Sequence, residues 1–282
     1  MSSILFRTLR SLVVPATYAL LMLGPSTVFA QHDHDHDHGE DDEDGHHHAP
    51  VHFSHPLFTE SPSPDTKLRF DYIRAPLAHD LSENTFRVEG EYAFSQNMSI
   101  EANIPFSSVS SNGVRTSAIG SGEIALKLAS FIAAKRGILL GGGIGFGVPT
   151  GNDGKGIGSD HLVEVEPYVD LGYMQEKMEF VTFASYRFTT RRNVGEEEEK
   201  SFGAAASLLY HLDPRLESLV EVETRRLINA EGSDDQIVNA GVGVKYHVNR
   251  IRALVVGIGG RIPVTTRREF QSEIIVSALY HF

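Results

Sequence analysis

The chain of 282 residues contains no cysteine, which excludes a disulfide framework, a thiol nucleophile and a thiolate metal site. Any metal ion must therefore be bound by nitrogen and oxygen ligands. Basic residues are also in the minority, with 25 Lys and Arg against 37 Asp and Glu, for a formal net charge of −12. Because phosphate recognition needs basic surfaces, this balance argues against a nucleic-acid partner and favours cationic partners.

The first thirty residues are typical of an export signal. Arg7 and Arg10 form a basic start, a mostly apolar run extends from Ser11 to Leu23, and Val28-Phe29-Ala30 matches a cleavage site. The alternative is an uncleaved transmembrane anchor, but the apolar run is shorter than the ~20 residues that a spanning helix needs. We therefore predict a signal peptide at residues 1–30 and a mature N-terminus at Gln31.

Histidine and carboxylate residues dominate the chain from Gln31 to His55, which holds nine of the fourteen histidines. So polar a segment cannot bury enough apolar surface to fold alone, and residues 31–65 are predicted to be a disordered periplasmic tail ending in a stiff linker, Ser61–Asp65. Its ligands favour weak, multi-site binding of Zn²⁺, Ni²⁺, Cu²⁺ or Co²⁺, and no cofactor is required. The candidate ligands are His32, Asp33, His34, Asp35, His36, Asp37, His38, His46, His47, His48, His52 and His55. The alternative is a solvated acidic leader without a metal role.

No stretch after Asp65 has a sustained helical period, and segments with alternating apolar and polar residues recur instead. Twelve such segments are predicted, at 66–76, 83–96, 98–110, 122–133, 138–149, 161–175, 178–190, 200–212, 215–228, 235–249, 251–265 and 269–282. Most are long enough for the ~9–11 residues of a tilted membrane-crossing strand. The sequence therefore predicts an all-β fold, a transmembrane antiparallel up-and-down β-barrel of about 12 strands, over residues 66–282.

The connections between these segments alternate in length, as they do in a bacterial outer-membrane barrel. Short turns are predicted at 96–97, 134–137, 176–177, 213–214 and 249–250, and longer polar loops at 77–82, 111–121, 150–160, 191–199 and 229–234. This topology places the N-terminal tail and the C-terminus in the periplasm and the long loops outside the cell. A soluble β-sandwich is the alternative, since alternation alone fits both folds.

The last strand carries Ile274, Val276, Ala278, Tyr280 and Phe282 on one face and ends on an aromatic residue. It resembles the C-terminal assembly signal of bacterial outer-membrane barrels, which implies the barrel assembly machinery as a partner. Outer-membrane lipid and lipopolysaccharide are the other expected partners. The acidic run from Glu196 to Glu199 is a candidate for bridging lipopolysaccharide through divalent cations, against the simpler interpretation of a solvated loop.

Several short motifs lie near the outer ends of the predicted strands. They are Ile104-Pro105-Phe106, Gly147-Val148-Pro149-Thr150-Gly151, Arg261-Ile262-Pro263-Val264 and the run Gly120 to Lys127. This combination resembles the outer-membrane transporter-like family named after the meta-pathway of phenol degradation. The resemblance covers roughly residues 66–282, although this chain has Glu123 after Gly122 where the family has Asp. It implies a transporter and adds small hydrophobic (aromatic) compounds as an alternative solute.

Charged side chains recur on one face of the predicted strands and are too costly for the lipid face, so they are predicted to point into the lumen. The acidic set is Glu89, Glu91, Glu101, Glu164, Glu166, Asp170, Glu217, Glu221 and Glu223, and the basic set is Arg87, Lys127, Arg187, Arg225 and Lys245. Their acidic excess favours cations if a water path exists. The alternative is a structural lattice of salt bridges that fills a narrow interior.

Two classes of function remain open from the sequence. One is a channel or transporter for divalent transition-metal ions or small solutes, and the other is a non-conducting barrel that is structural or sequesters metal. A lipid hydrolase would need a Ser/His pair with an orienting third group, for which Ser159 and His161 are weak candidates, so we predict no enzyme. The run Gly141–Gly147 superficially matches a phosphate-binding loop, but no helix is predicted after it, and it is interpreted as part of a strand.

Overall fold

The computed structural model describes residues 51–78, 81–131, 133–191, 200–228, 234–248 and 253–282. The predicted signal peptide, the tail up to residue 50 and the loop at 192–199 therefore lie outside the described residues. Ten of the twelve candidate metal ligands, from His32 to His48, fall in that part of the chain. Among the described residues, no helix is long and apolar enough to cross a membrane.

Thirteen strands make up nearly all of the regular structure in the described ranges. They are β1 Lys67–Pro76, β2 Leu81–Ser95, β3 Met98–Ser111, β4 Val114–Ile119, β5 Gly122–Ser130, β6 Ile138–Val148, β7 Val163–Gln175, β8 Met178–Arg191, β9 Lys200–Asp213, β10 Leu216–Ile228, β11 Asp234–His247, β12 Leu254–Pro263 and β13 Glu273–His281. Each of the twelve predicted segments contains or overlaps one of these strands. The additional strand is β4.

The strands close into a single antiparallel barrel. Consecutive strands pair with each other except β4 and β5, and β1 pairs with both β2 and β13, so that Lys67 stands opposite His281. Both β4 and β5 pair with β3, so these two short strands share one position in the wall. The wall therefore has twelve positions, which confirms the predicted 12-strand barrel.

The hairpin of β3 and β4 corrects the predicted loop at 111–121. Ser111 pairs with Val114, and the two residues between them, Asn112 and Gly113, have φ angles of 49° and 80°. Positive φ at both central residues belongs to the two-residue hairpin turn that Asn-Gly sequences favour. The Asn112-Gly113 pair already indicates this turn in the sequence, but the polar composition of residues 111–121 led to the prediction of a loop.

The two ends of the barrel differ as the connection lengths predict. Turns of two residues join β2 to β3, β7 to β8 and β9 to β10 at one end, here named the short-turn end. The same end carries the start of β1 and the end of β13. The opposite end, the long-loop end, carries the β6–β7 connection, which includes a 3₁₀ turn at Asp153–Lys155.

The alternation of the strands separates an apolar outer face from a polar interior. In β7, Val169, Leu171 and Tyr173 are exposed, whereas Glu164 and Asp170 are buried. Large apolar side chains are exposed on the outward face all around the barrel, and ionisable side chains fill the buried positions. This is the distribution of a transmembrane barrel, and it is opposite to that of a soluble sandwich, whose core is apolar.

Candidate functional site: the barrel interior

The interior of the barrel contains a segment of the chain itself. Residues 51–65, here named the plug, have no regular secondary structure and lie inside the wall, with Phe53, Ser61 and Asp65 all 0% exposed. This stretch is predicted from the sequence to be part of the disordered tail and its linker, and the structure instead places it within the barrel. The reason is that the plug contributes apolar side chains that the acidic stretch before it lacks, and the wall supplies partners for its backbone.

The path of the plug is re-entrant. Ser54 donates from its backbone N–H to Glu179 over 2.7 Å, at the second residue of β8 near the short-turn end. Thr59 donates its backbone N–H to Glu221 of β10. Glu217 lies near the start of β10 at the short-turn end, and Glu221 is four residues further along the strand, which is ~13 Å deeper in the barrel. Asp65 is back at the short-turn end, immediately before β1. The plug thus enters and returns through the same end.

One carboxylate of the wall anchors the turn of the plug. Glu221 accepts the backbone N–H groups of Leu57 at 2.9 Å, Phe58 at 3.1 Å and Thr59 at 2.7 Å. Hydrogen bonds to an ionised acceptor are roughly twice as strong as neutral ones. Three successive backbone donors on one carboxylate fix the deepest point of the plug.

Basic residues of the wall hold the carbonyl groups of the plug. Arg69 donates to the Leu57 carbonyl over 2.8 Å, and Lys127 donates to the Ser61 carbonyl over 3.1 Å. Lys127 also lies 2.5 Å from a carboxylate oxygen of Glu60. Side chains of the wall therefore pair with backbone N–H and carbonyl groups of this buried segment, as an irregular chain in a membrane protein interior requires.

Glycines of the wall make room for the apolar side chains of the plug. A Cβ added at Gly172 would lie 2.6 Å from the Phe53 ring, and one added at Gly243 or Gly259 would lie 2.6 Å from Leu57. Real Cβ atoms do not approach carbon so closely, since favourable contacts occur at ~3.5–4.0 Å. These strand glycines are therefore explained by close approach of the plug.

The glycine-rich run 141–147 lies within β6, which confirms its interpretation as a strand. A Cβ at Gly141 would meet the Pro62 carbonyl oxygen at 2.9 Å and a carboxylate oxygen of Asp170 at 1.8 Å. Tyr168 occupies the space in front of Gly143 in the same way. Glycines of this run therefore leave room for Pro62 of the plug and for Asp170 and Tyr168 of β7.

The structure places all fourteen predicted lumen residues on the inward face of the wall. Thirteen are buried, and the side chain of Glu223 is 21% exposed. The same face carries further charged residues that the sequence analysis did not select, namely Lys67, Arg69, Asp71, Glu83, Glu123, Glu179, Arg261 and Glu273. Strict alternation along β1, β8, β12 and β13 would have found most of them.

These charges form paired groups around the wall. Arg187 contacts Glu166 and lies 3.3 Å from Glu164, while Lys245 lies 2.5 Å from Glu217. Arg261 reaches Glu273 at 2.8 Å, and other pairs link Arg87 with Asp71, Arg225 with Glu269 and Lys67 with Glu89. Among the described residues, fifteen Asp or Glu side chains are buried against eight Lys or Arg. The interior is therefore both cross-linked by ion pairs and acidic overall.

The two candidate metal ligands within the described residues, His52 and His55, both lie in the plug and are buried. His55 lies beside Asp65 and His281 at the short-turn end, with its Nε2 3.6 Å from an oxygen of Asp65. Burial, followed by the charge of the nearby Lys67, holds the pKa of His55 well below its usual value. Its imidazole is therefore neutral at pH 7, which is the form that binds metal ions.

The Ser159 and His161 pair lies in the β6–β7 connection and does not have the geometry of a hydrolase. The Ser159 hydroxyl is 3.3 Å from Nδ1 of His161, and Asp153 contacts the same nitrogen at 2.5 Å. A catalytic triad needs the nucleophile and the carboxylate on opposite nitrogens of the ring. The hydroxyl instead accepts the backbone N–H groups of His161 and Leu162, so it stabilises the loop.

No protein-family model matches the chain, and no curated protein matches its sequence. Solved structures do match its fold. The COG4313 outer membrane channel from Pseudomonas putida F1 is similar with a TM-score of 0.63 at 14% identity, over 82% of this chain and 100% of that one. The NanC porin is similar with a TM-score of 0.51 at 10% identity, over 77% of this chain and 98% of that one. Together with the apolar outer face, this likeness shows that the chain has the fold of an outer-membrane β-barrel.

Proposed function

We propose that the protein is an outer-membrane channel for small solutes, and that the plug occludes its lumen in the state described here. Both chain termini and the plug lie on the periplasmic side in this proposal, and the long-loop end faces outside. The solutes we favour are divalent transition-metal ions or other small cations. Membership of the phenol meta-pathway family, inferred from the short sequence motifs, is part of the same proposal.

The observation that carries this proposal is the nature of the material that fills the lumen. In a barrel of about eight strands, side chains of the wall can fill the interior on their own. Here a separate chain segment fills it, attached to the wall by hydrogen bonds and ion pairs rather than by strand pairing. Its withdrawal through the short-turn end would leave a passage lined with charged side chains.

The charge of the interior supports cations as the preferred solutes. Buried carboxylates outnumber buried Lys and Arg by fifteen to eight in the described residues. Rings of Asp and Glu side chains favour cations in channels because they offset part of the energy of dehydration. An uncharged aromatic solute, the alternative implied by the family resemblance, would cross this acidic interior without such a gain.

The His- and Asp-rich tail gives the metal hypothesis its second support. The tail joins the plug directly at residue 51, so ions bound by the tail would be held beside the periplasmic mouth. We propose weak, multi-site binding of Zn²⁺, Ni²⁺, Cu²⁺ or Co²⁺ there. Outer-membrane lipid, lipopolysaccharide and the barrel assembly machinery remain the expected partners of such a barrel.

A non-conducting barrel is the competing function, and the ion-pair lattice favours it. Groups such as Arg187 with Glu164 and Glu166, or Arg261 with Glu223 and Glu273, cross-link strands of the wall and stiffen it. In that case the plug would be a permanent part of the core. The tail would then sequester metal without passing it on.

Planar-bilayer recording of the purified full chain separates these two functions. We expect rare openings in KCl, with a reversal potential in a salt gradient that shows cation selectivity. Glu221→Gln should raise the fraction of time spent open, because it weakens the anchor of the plug. Glu83→Gln is the matched control, since Glu83 is a buried lumen carboxyl whose hydrogen-bond donors, Thr85 and Ser107, belong to the wall and not to the plug. Silent bilayers with both variants would favour the non-conducting barrel.

A further inference from the structure

Two histidines and one aspartate, residue types that bind metal ions in proteins, meet at the short-turn end of the barrel. His55 belongs to the plug, Asp65 ends it, and His281 is the last residue of β13. One ligand atom of each lies within 4.8 Å of the other two. His281 Nδ1 is 2.8 Å from Asp65 Oδ2, and His55 Nε2 is 3.6 Å from that same oxygen.

We propose that His55, Asp65 and His281 form a binding site for one divalent transition-metal ion, with Zn²⁺, Co²⁺, Ni²⁺ and Cu²⁺ as the ions that suit two imidazoles and a carboxylate. This site is fixed by the fold, with His55 and Asp65 buried and His281 partly buried. Its three protein ligands leave a further coordination position for water. The site binds the plug to the last strand of the barrel.

The geometry is close to that of a bound ion. Metal–ligand bonds of ~2.0–2.1 Å in a tetrahedral site place ligand atoms ~3.3 Å apart. The two separations from Asp65, 2.8 Å and 3.6 Å, lie on either side of this value. The two imidazole rings have centroids 5.3 Å apart and are tilted by 47°, so neither ring blocks the approach of the other to a common ion. Shifts of about half an ångström would bring these two separations to the tetrahedral value.

The surrounding charges permit a cation. Lys67, Arg69 and Lys245 are the basic groups that influence His55, and each has a carboxylate partner in the wall. Lys67 is 2.5 Å from Glu89, Arg69 is 2.9 Å from Asp71, and Lys245 is 2.5 Å from Glu217. Glu91 accepts the backbone N–H of Asp65 over 3.0 Å and adds a negative charge next to the site.

An ion bound at this site would connect the plug to the wall of the barrel. His55 and Asp65 lie on the two arms of the re-entrant segment, and His281 lies on the wall. An ion that binds all three favours the plugged state over any state in which His55 has withdrawn. This second step rests on the proposed channel function, whereas binding of the ion does not.

Co²⁺ provides the test of binding because its visible absorption reports coordination geometry. The full chain should bind one Co²⁺ or Zn²⁺ tightly, measured by absorption and calorimetry, beside weaker sites in the tail. His281→Gln keeps a side chain that can donate to Asp65 but removes a metal ligand, and it should weaken the tight site by at least ~100-fold. As the matched control, replacing His32, His34, His36 and His38 by Ala should remove weak sites and leave the tight one.

The result that overturns the site is a tight site that survives His281→Gln, or binding that disappears entirely with the four tail histidines. The stabilisation of the plugged state by the bound ion, here named the latch, is tested separately, by the rate at which a thiol reagent modifies Ser61→Cys in the plug. At a metal concentration ~100 times the dissociation constant, modification should slow by ~100-fold in the otherwise unchanged chain and not in His281→Gln. Unchanged rates with tight binding intact would overturn the latch alone, and silent bilayers would overturn the channel alone.

Discussion

The replacement Glu221→Gln tests whether the plug is held by its wall contacts. Glu221 accepts three backbone N–H groups of the plug over 2.7 to 3.1 Å with its two oxygens. Glutamine keeps one oxygen and turns an amide N–H₂ toward the remaining donor, so one or two bonds to a charged acceptor are lost. Such bonds contribute ~1.5–3 kcal/mol each. Since ~1.4 kcal/mol is a factor of ten, the ratio of withdrawn to plugged states should rise by at least ~10-fold.

The absence of cysteine makes this ratio measurable by chemical modification. Ser61 is 0% exposed in the plug, so Ser61→Cys introduces a single thiol that reacts with a water-soluble reagent only after withdrawal. In the regime where the plug closes faster than the reagent reacts, the rate of modification is proportional to the withdrawn fraction. Glu221→Gln should therefore speed modification by at least ~10-fold, and Glu83→Gln should leave it unchanged. Equal rates in both variants would refute the assignment of Glu221 as the anchor.

Two further replacements test the apolar and ionic contacts of the plug. Gly172→Ala adds a Cβ 2.6 Å from the Phe53 ring, and because the ring must retreat by about 1 Å, modification of the thiol in the plug should become faster. Adding Phe53→Leu should restore the slow rate of modification. If the rate is not restored, the contact between Gly172 and Phe53 is contradicted. Lys127 Nζ lies 2.5 Å from Glu60 and 3.8 Å from Glu91, so Lys127→Met leaves both carboxylates without their shared cation. The replacement should lower the free energy of unfolding in urea by ~3–5 kcal/mol. A change below about 1 kcal/mol would show that the two carboxylates relax into solvent.

The barrel itself could be predicted from the sequence because its signal is local. A strand that faces lipid on one side and a polar lumen on the other must alternate with period two, and each strand repeats this independently. An error in one segment does not spread to the next. For this reason the twelve wall positions, the short turns at 96–97 and 176–177 and the inward direction of residues such as Glu217 and Lys245 agree with the structure. The predicted turn at 249–250 lies outside the described residues. The β3–β4 hairpin was missed because the prediction gave polar composition more weight than the Asn112-Gly113 turn.

The plug could not be predicted because its signal is distributed over distant parts of the chain. Phe53 packs at Gly172, and Leu57 packs at Gly243 and Gly259, about 120 to 200 residues away. A glycine in a strand indicates close approach of some group but does not say which. The composition from Gln31 to His55 is typical of a disordered tail, and nothing local marks residue 51 as the point where the chain enters the barrel.

The balance of energies in the plug explains why small changes should control it. Ordering fifteen residues costs ~15–30 kcal/mol at ~1–2 kcal/mol each. Burial of three large apolar side chains contributes ~5–9 kcal/mol, and seven hydrogen bonds between its backbone and charged groups of the wall contribute ~10–21 kcal/mol. The two ranges overlap, so the hydrogen bonds to charged groups of the wall are needed to offset the cost of ordering the plug. One weakened carboxylate contact or one bound metal ion therefore shifts the ratio of the withdrawn to the plugged state.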